Sequence, residues 1–281
     1  MENLVLFQVG NLDITYQILN YIQHLIINYN LFFIFSLLDS FKLELQNFIH
    51  NLHKFNITKY HIMFHINKGM DIGPYLKQLQ YVFYNYKLDS FNQIYKIHTK
   101  TNTIWRDELL DSLLNLDTQD FSNKWKIPLD KLNVFHINEI CTRFNINNIF
   151  YDELSNVNYN LLNENDIDID FYSNYYNIKL NNCDHLSNLF GYDINRNYLF
   201  YHCKNNLNIP NQSYIITKRR KPNIYFIAGT IFKLEYKHVW DFFSKINLDE
   251  LYDLLEEGYL TNEKSTYVHA MERIISASLL E

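Results

Sequence analysis

The sequence predicts an α/β fold, a mostly parallel sheet flanked by helices, with a helical and loop-rich C-terminal part. Three observations carry this expectation. Short apolar runs alternate with helix-periodic stretches through the first hundred or so residues. The stretches between runs are long enough for helical crossovers, which join parallel strands with a right-handed turn. Near the C-terminus the pattern becomes helical, with one further apolar strand-like segment before it.

"LVLFQVG" reads as the first strand, and "ITYQILNYIQHLIINY" as one helix with Ile14, Ile18, Tyr21, Ile22 and Leu25 on a stripe. "LFFIFSLL" is a buried strand, followed by "SFKLELQNFIHNLHKF", a helix capped by Ser40 or Asp39. "YHIMFHI" is a third strand. "PYLKQLQYVFYNY" is a helix with Pro74 near its first turn, where a missing N–H costs little. "QIYKIHTK" is a fourth strand, and "IWRDELLDSLLNL" a helix with Asp107 and Glu108 in its first turn. From about 117 to 220 only short helices such as "INEICTRF" stand out among Asn-rich stretches. "IYFIAGTIFKLEY" reads as a bent strand pair broken at Gly229. "KHVWDFFSKI", "LDELYDLLEEG" and "STYVHAMERIISASLL" are helices, the second ending at Gly258. The chain reads as one continuous domain in two halves, 1–116 and 117–281.

Hydrophobic residues make up 47% of the 281 and aromatics 17%, enough for a packed core. The abundance of Asn, Ile, Tyr, Phe and Lys matches an AT-rich genome. A net charge of −6 argues against a general nucleic-acid binder. The basic run "KRRKP" at Lys218 to Pro222 reads as a solvated loop or as a contact with an anionic ligand or membrane surface. Cys141, Cys183 and Cys203 have neither metal-site nor disulfide-framework spacing and suit a reducing, cytoplasmic setting. No apolar run reaches the roughly 18 residues of a membrane helix, so no transmembrane segment is expected.

Three segments suggest chemistry. In open parallel sheets ligands bind outside the carboxyl ends of the strands. At the end of the third strand, "NKGMDIGPYL" places Asn67, Gly69, Asp71, Gly73 and Pro74 together in a chain with only six glycines. The glycines could bring backbone close to a ligand, helix-start N–H groups favour an anion, and Asp71 could accept sugar hydroxyls. A tight turn with Asp71 as helix cap fits equally. At the end of the fourth strand, Lys96, His98 and Lys100 alternate onto one face, suited to a diphosphate or to guarding an edge strand. Arg106 follows on the next helix. In the last helix, Val268, Met271, Ile274 and Ile275 form an apolar stripe. His269, Glu272, Arg273 and Ser276 share the opposite face, as a solvated surface or as a general base with its partners.

Taken in order, "NKGMDIGPYL", "YKIHTKTNTIWRDELLDSLL", "YFIAGTIF" and "EEGYLTNEKSTYVHAMERI" resemble the rhamnan synthesis protein F family of glycosyltransferase-like proteins. That family carries Asn-x-Gly-x-Asp-x-Gly-Pro, Lys-x-His-x-Lys followed by Trp-Arg, Ala-Gly-Thr-x-Phe, and His-Ala-x-Glu-Arg. The resemblance spans residues 67 to 275 with no match between 117 and 222. Related proteins occur in bacterial polysaccharide clusters and in large DNA viruses, for which the host cytoplasm would be the setting.

The resemblance implies a GT-A-like fold, with 1–116 as the nucleotide-sugar-binding half and 117–281 as the acceptor side. It implies a hexosyltransferase moving a sugar, such as the deoxysugar rhamnose, from a nucleotide-diphosphate donor to a glycan or glycoprotein acceptor, with inversion. Donor-binding positions would be Asn67, Gly69, Asp71, Gly73, Lys96, His98, Lys100, Arg106, Gly229, Thr230 and Arg273. Glu272 is the first candidate base, with Glu263 and Asp71 behind it, and His269 and Arg273 as its orienting partners.

GT-A enzymes usually hold a divalent metal on Asp-x-Asp where this chain has His98-Thr99-Lys100, so the expectation is a transferase that needs no metal or other cofactor, or one whose metal is held elsewhere. His98, titrating near neutrality, would then add charge to Lys100 as pH falls. The family also tends to Asp-Gly-Thr where this chain has Lys264-Ser265-Thr266. A non-catalytic sugar-nucleotide or glycan-binding subunit of a glycan-assembly complex is the alternative. The sequence fixes no oligomeric state.

Overall fold

A computed structural model describes residues 2–114, 126–128, 134–146, 225–227, 229–258 and 266–280. The chain divides into two compact units, 1–122 with 229–281, and 123–228.

The first unit is built on a five-stranded sheet. Its strands are β1 (Glu2–Val9), β2 (Leu31–Leu38), β3 (Tyr60–His65), β4 (Phe91–His98) and β7 (Phe232–Glu235), in the order β3-β2-β1-β4-β7. β1 pairs in parallel with β2 and β4, and β2 with β3, while β7 runs antiparallel to β4. The mostly parallel α/β sheet is as expected. β4 lies inside the sheet, between β1 and β7, so its lysines do not guard an edge.

The helices of this unit are α1 (Leu12–Tyr21), α2 (Gln23–Asn28), α3 (Leu45–Lys54), α4 (Ile72–Asn85), α5 (Thr103–Leu114), α7 (Tyr236–Phe243), α8 (Leu248–Leu254) and α9 (Tyr267–Leu280). The long first helix of the sequence reading is broken at Ile22, whose φ of −88° and ψ of 14° leave the helical range. Asn11 caps α1, its side chain accepting the Ile14 N–H. Residues Asp39–Glu44 form a 3-10 turn before α3, and neither Ser40 nor Asp39 caps that helix. α5 begins at Thr103, so Asp107 falls in its second turn rather than its first. α8 stops at Leu254, short of Gly258.

The core is aliphatic and aromatic. Phe7, Phe33, Phe35 and Phe48 are buried together through ring contacts of 5.2 to 5.5 Å. One polar pair sits among them. Gln78 of α4, fully buried, donates to the carbonyls of Phe7 (3.2 Å) and Ile34 (2.7 Å) and accepts from Gln8. These bonds pin α4 across β1 and β2. α4 packs in turn against α8 and α9.

The 123–228 unit has two described strands, β5 (Lys126–Pro128) and β6 (Tyr225–Ile227), paired antiparallel. It also holds α6 (Val134–Arg143), with Ile137, Ile140 and Cys141 buried. "KRRKP", Cys183 and Cys203 lie outside the described residues. Among the described residues, no helix is long and apolar enough to cross a membrane.

Candidate functional site

Residues from four distant parts of the chain meet at the carboxyl edge of the sheet. Strand alternation sends Lys96 and His98 of β4 to the same face. Asp71, just ahead of α4, reaches Lys96, with Nζ to Oδ2 at 2.6 Å. Thr230, in the turn before β7, stands between them. Its hydroxyl accepts from Lys96 Nζ at 3.0 Å and donates to Asp71 Oδ2, and its carbonyl accepts from Lys96 at 3.0 Å. His98 Nε2–H donates to the Gly229 carbonyl at 2.6 Å. The Gly229 N–H donates to Glu272 Oε1 of α9 at 2.7 Å.

The turn that makes this possible is unusual. Gly229 has φ 102° and Thr230 φ 48°. A β-branched residue in the left-handed region is a genuine outlier, costing on the order of 1–3 kcal/mol. The three bonds of Thr230 to Lys96 and Asp71 hold it there.

The charges in the network are unequal in environment. Lys96 is fully buried. Burial lowers its pKa, and the carboxylates of Asp71 and Glu272 pull against that. Burial would raise the Asp71 carboxyl, but the Lys96 ammonium beside it, with hydrogen bonds from Lys96 and Thr230, holds it below the usual carboxylate range. Burial lowers His98 to about 4 despite Asp71, with Lys96 and Lys100 adding to the fall. His98 is therefore neutral at pH 7, and its expected titration near neutrality is corrected. Lys100, half-buried, is lowered by burial and pulled back up by Glu272 and Asp71.

The glycine-rich segment packs closely against its own neighbours. Gly69 has φ 71°, and a Cβ there would lie 2.5 Å from Leu255 Cδ1. A Cβ on Gly73 would collide with the Lys68 carbonyl oxygen. The space that these glycines leave open is filled by the protein itself. Asn67 to Gly69 run against 256–258, with Gly69 N–H to Glu256 O at 2.7 Å and Gly258 N–H to Asn67 O at 2.8 Å. The first three helical positions of α4 offer no free N–H for an anion. Ile72 and Gly73 both donate to the Gly69 carbonyl, and Pro74 has no N–H. Asp71 stands at the cap position but makes no side-chain cap, because its carboxylate is turned to Lys96 and Thr230.

Lys96 is likewise engaged by the protein itself. An ammonium has three N–H donors, and all three are used within the protein. Arg106 is buried, bonding Asp107 at 3.0 Å and Gln17 at 3.4 Å. On α9 the shared face of His269, Glu272 and Arg273 is not a plain solvated surface, one of the two readings of the sequence. Arg273 is 1% exposed, donates to the His269 carbonyl at 2.8 Å, and lies 3.6 Å from Glu272 Oε2. His269 Nδ1 pairs with the Thr266 hydroxyl at 2.8 Å. Glu263 and the Ser276 side chain lie outside the described residues.

The sequence reading missed three contributors. Glu256 caps α9, accepting the N–H groups of Tyr267 (2.7 Å) and Val268 (3.2 Å) and neutralising that helix end. Thr99 ties β4 to the end of β1, its hydroxyl accepting the Gly10 N–H at 2.8 Å. Gln8 is the third, and a lone polar residue inside "LVLFQVG" was a usable signal for it.

No family model matches the chain, and no curated protein matches it.

Proposed function

We propose that the chain is a glycosyltransferase of GT-A-like architecture. It would move a sugar, such as a deoxysugar of the rhamnose type, from a nucleotide-diphosphate donor to a glycan acceptor. The observation that carries this reading is the convergence of Asp71, Lys96, His98, Gly229, Thr230 and Glu272 on one network at the carboxyl edge. These are the motif positions that resemble the rhamnan synthesis protein F family. Strand order supports it too. β2 and β3 lie on one side of β1 and β4 on the other, and ligands of such sheets bind at that reversal. Gly10, Thr99 and Lys100 stand there.

In this reading the acceptor oxygen attacks the anomeric carbon as the bond from that carbon to the diphosphate oxygen breaks, with inversion. Glu272 takes the acceptor proton, its Oε1 oriented by the Gly229 N–H. Lys100 stabilises the diphosphate as it leaves. Lys96 and His98 shape the site, as Lys96 has no N–H left over and His98 carries no charge at neutral pH. Residues 98–100, His-Thr-Lys, do not fit a divalent cation, and the reading assigns none to the diphosphate.

The alternative is a non-catalytic sugar-nucleotide-binding subunit, favoured by the engagement of both carboxylates within the protein.

The test is a thermal-shift screen against UDP, GDP and dTDP sugars, each in EDTA and then in Mn²⁺. Specific binding raises the melting temperature by mass action. At least one donor should stabilise the protein in EDTA. Lys100→Ala should weaken nucleoside-diphosphate binding about tenfold and leave nucleoside binding nearly unchanged. Stabilisation only with Mn²⁺, or equal losses for both ligands, would contradict the reading.

A further inference from the structure

We propose that the chain dimerises through its outermost strand. β3 of one copy pairs antiparallel with β3 of a second copy about a two-fold axis at Ile62, which joins the two sheets into one. The inference is independent of the glycosyltransferase reading.

The backbone sets the register. β3 ends the sheet, and no described residue pairs with its outer side. The Phe33 N–H donates to the Lys59 carbonyl at 3.0 Å, so residues 59, 61, 63 and 65 turn their backbone groups to β2. Tyr60, Ile62 and Phe64 therefore turn theirs outward. Such a row of groups is a template for another strand, and the same strand reversed supplies one. A two-fold axis normal to the sheet at Ile62 sets Ile62 against itself and Tyr60 against Phe64 of the second copy, on both sides of the axis. Each of these pairs exchanges two hydrogen bonds, about six in all.

The side chains agree with that register. Tyr60 lies beside His53 of α3, and Phe64 lies under Lys42, so both are on one face of the sheet. Their pairing across the axis is an aromatic cross-strand contact, made twice. His61 faces the other way, stacked on Tyr81 of α4 at 4.0 Å, and meets Met63 of the second copy. Every residue from Tyr60 to Phe64 is half-buried, so each keeps surface that a neighbour would cover. Ile66, just past the strand, is 52% exposed.

Charge favours a second copy as the occupant. Residues 57–70 contain no carboxylate. Lys59 is drawn back from the edge, its Nζ 2.9 Å from both Glu2 and Asn30. In this register it stands opposite His65, and burial lowers the pKa of both His65 and His61, which leaves them neutral at pH 7. No like charges face each other across the pair. Sheets commonly blunt an edge with a proline, a bulge, charged residues or a very short strand. β7, at the opposite edge, has four residues with Lys233 and Glu235 among them. β3 has no proline, and its register on β2 is unbroken. A single strand pair is a small interface, so the association expected is micromolar.

Sedimentation velocity and amide hydrogen exchange over a micromolar dilution series test the proposal. Wild type should move from the mass of one chain to twice that mass as concentration rises. The N–H groups of Tyr60, Ile62 and Phe64 should become protected in step, while those of His61 and Met63 are protected throughout. Ile62→Lys sets like charges against each other at the axis, and Ile62→Pro removes an outward N–H that the sheet does not use. Each should weaken association at least about tenfold. Tyr60→Lys and Phe64→Glu should each weaken it as well. The double variant places opposite charges across the axis and should bind about fivefold tighter than either single one. Melting of the dilute protein checks the fold of each variant, and if Ile62→Lys does not fold, Ile62→Pro and the charge pair decide. A wild type that stays monomeric across the series would overturn the proposal. So would outward N–H groups protected equally at every dilution, or a dimer that folded Ile62→Pro and the charge variants leave unchanged.

Discussion

Thr230 and Asp71, 159 residues apart in the chain, share a hydrogen bond in which the threonine hydroxyl is the donor. That hydroxyl is also an acceptor for Lys96, at 3.0 Å, so one small side chain closes the contact between a buried ammonium and its carboxylate. Thr230→Val keeps the shape and removes both bonds. It should destabilise the protein by about 1–3 kcal/mol in denaturant unfolding, as buried polar groups are left short of partners. Thr230→Ser should cost clearly less, because the hydroxyl remains. A larger loss in Thr230→Ser than in Thr230→Val would show that the methyl contact, not the hydroxyl, matters.

His98 gives the stability a defined pH dependence. Its folded-state pKa, about 4, lies below the ordinary value of 6.5. Between those values the unfolded chain binds the proton and the folded chain does not, so stability rises with pH across that window. The contribution is complete above about pH 6.5 and is lost as pH falls toward 4. His61 and His65, both lowered by burial, act in the same direction. His98→Gln should remove up to about 1.4 kcal/mol per pH unit of this slope. Acidification from pH 8 to 6 should not strengthen nucleotide binding through His98. An unchanged stability slope in the variant would place the proton uptake elsewhere.

Gly73 and Gly258 should respond differently to alanine. Gly258 has φ 82° with open space around its missing Cβ, so Gly258→Ala is limited to a backbone cost of about 1–2 kcal/mol. Gly73 meets the Lys68 carbonyl and, at 3.3 Å, the Tyr252 ring, so the chain itself must shift. Gly73→Ala should lose about 3 kcal/mol or more, measured by the same unfolding assay. A smaller loss at Gly73 than at Gly258 would refute the close-packing account of the segment.

The elements were largely legible in the sequence because their signals are local. "LFFIFSLL" and "QIYKIHTK" show burial on their own, and "KHVWDFFSKI" shows its period. The pairing of β7 against β4 was not legible, since an antiparallel return depends on which edge is free once the parallel strands are in place. In the site, the motif positions were legible and their electrostatic state was not. Lys96, His98 and Lys100 look alike as alternating cations, but burial spends the donors of the first and discharges the second. Arg273 could be read as solvated or as part of a site, because helix periodicity places a residue on a face without saying what covers that face. Glu256 could not have been read as the cap of a helix eleven residues away, because nothing between them marks the loop closure.

The most direct test of the glycosyltransferase reading is release of free sugar from nucleotide sugars in EDTA, comparing wild type with Glu272→Gln. Glutamine keeps a carbonyl oxygen for the Gly229 N–H, so the turn and the fold should hold, while the proton acceptor is gone. The account predicts slow release by wild type with water as acceptor. It predicts release lowered by at least about a hundredfold in Glu272→Gln, with donor binding and melting temperature close to wild type. Release undiminished in the variant would take the base away from Glu272. A donor that binds wild type without any release, or any transfer to an added glycan, would contradict the enzyme and leave the binding subunit.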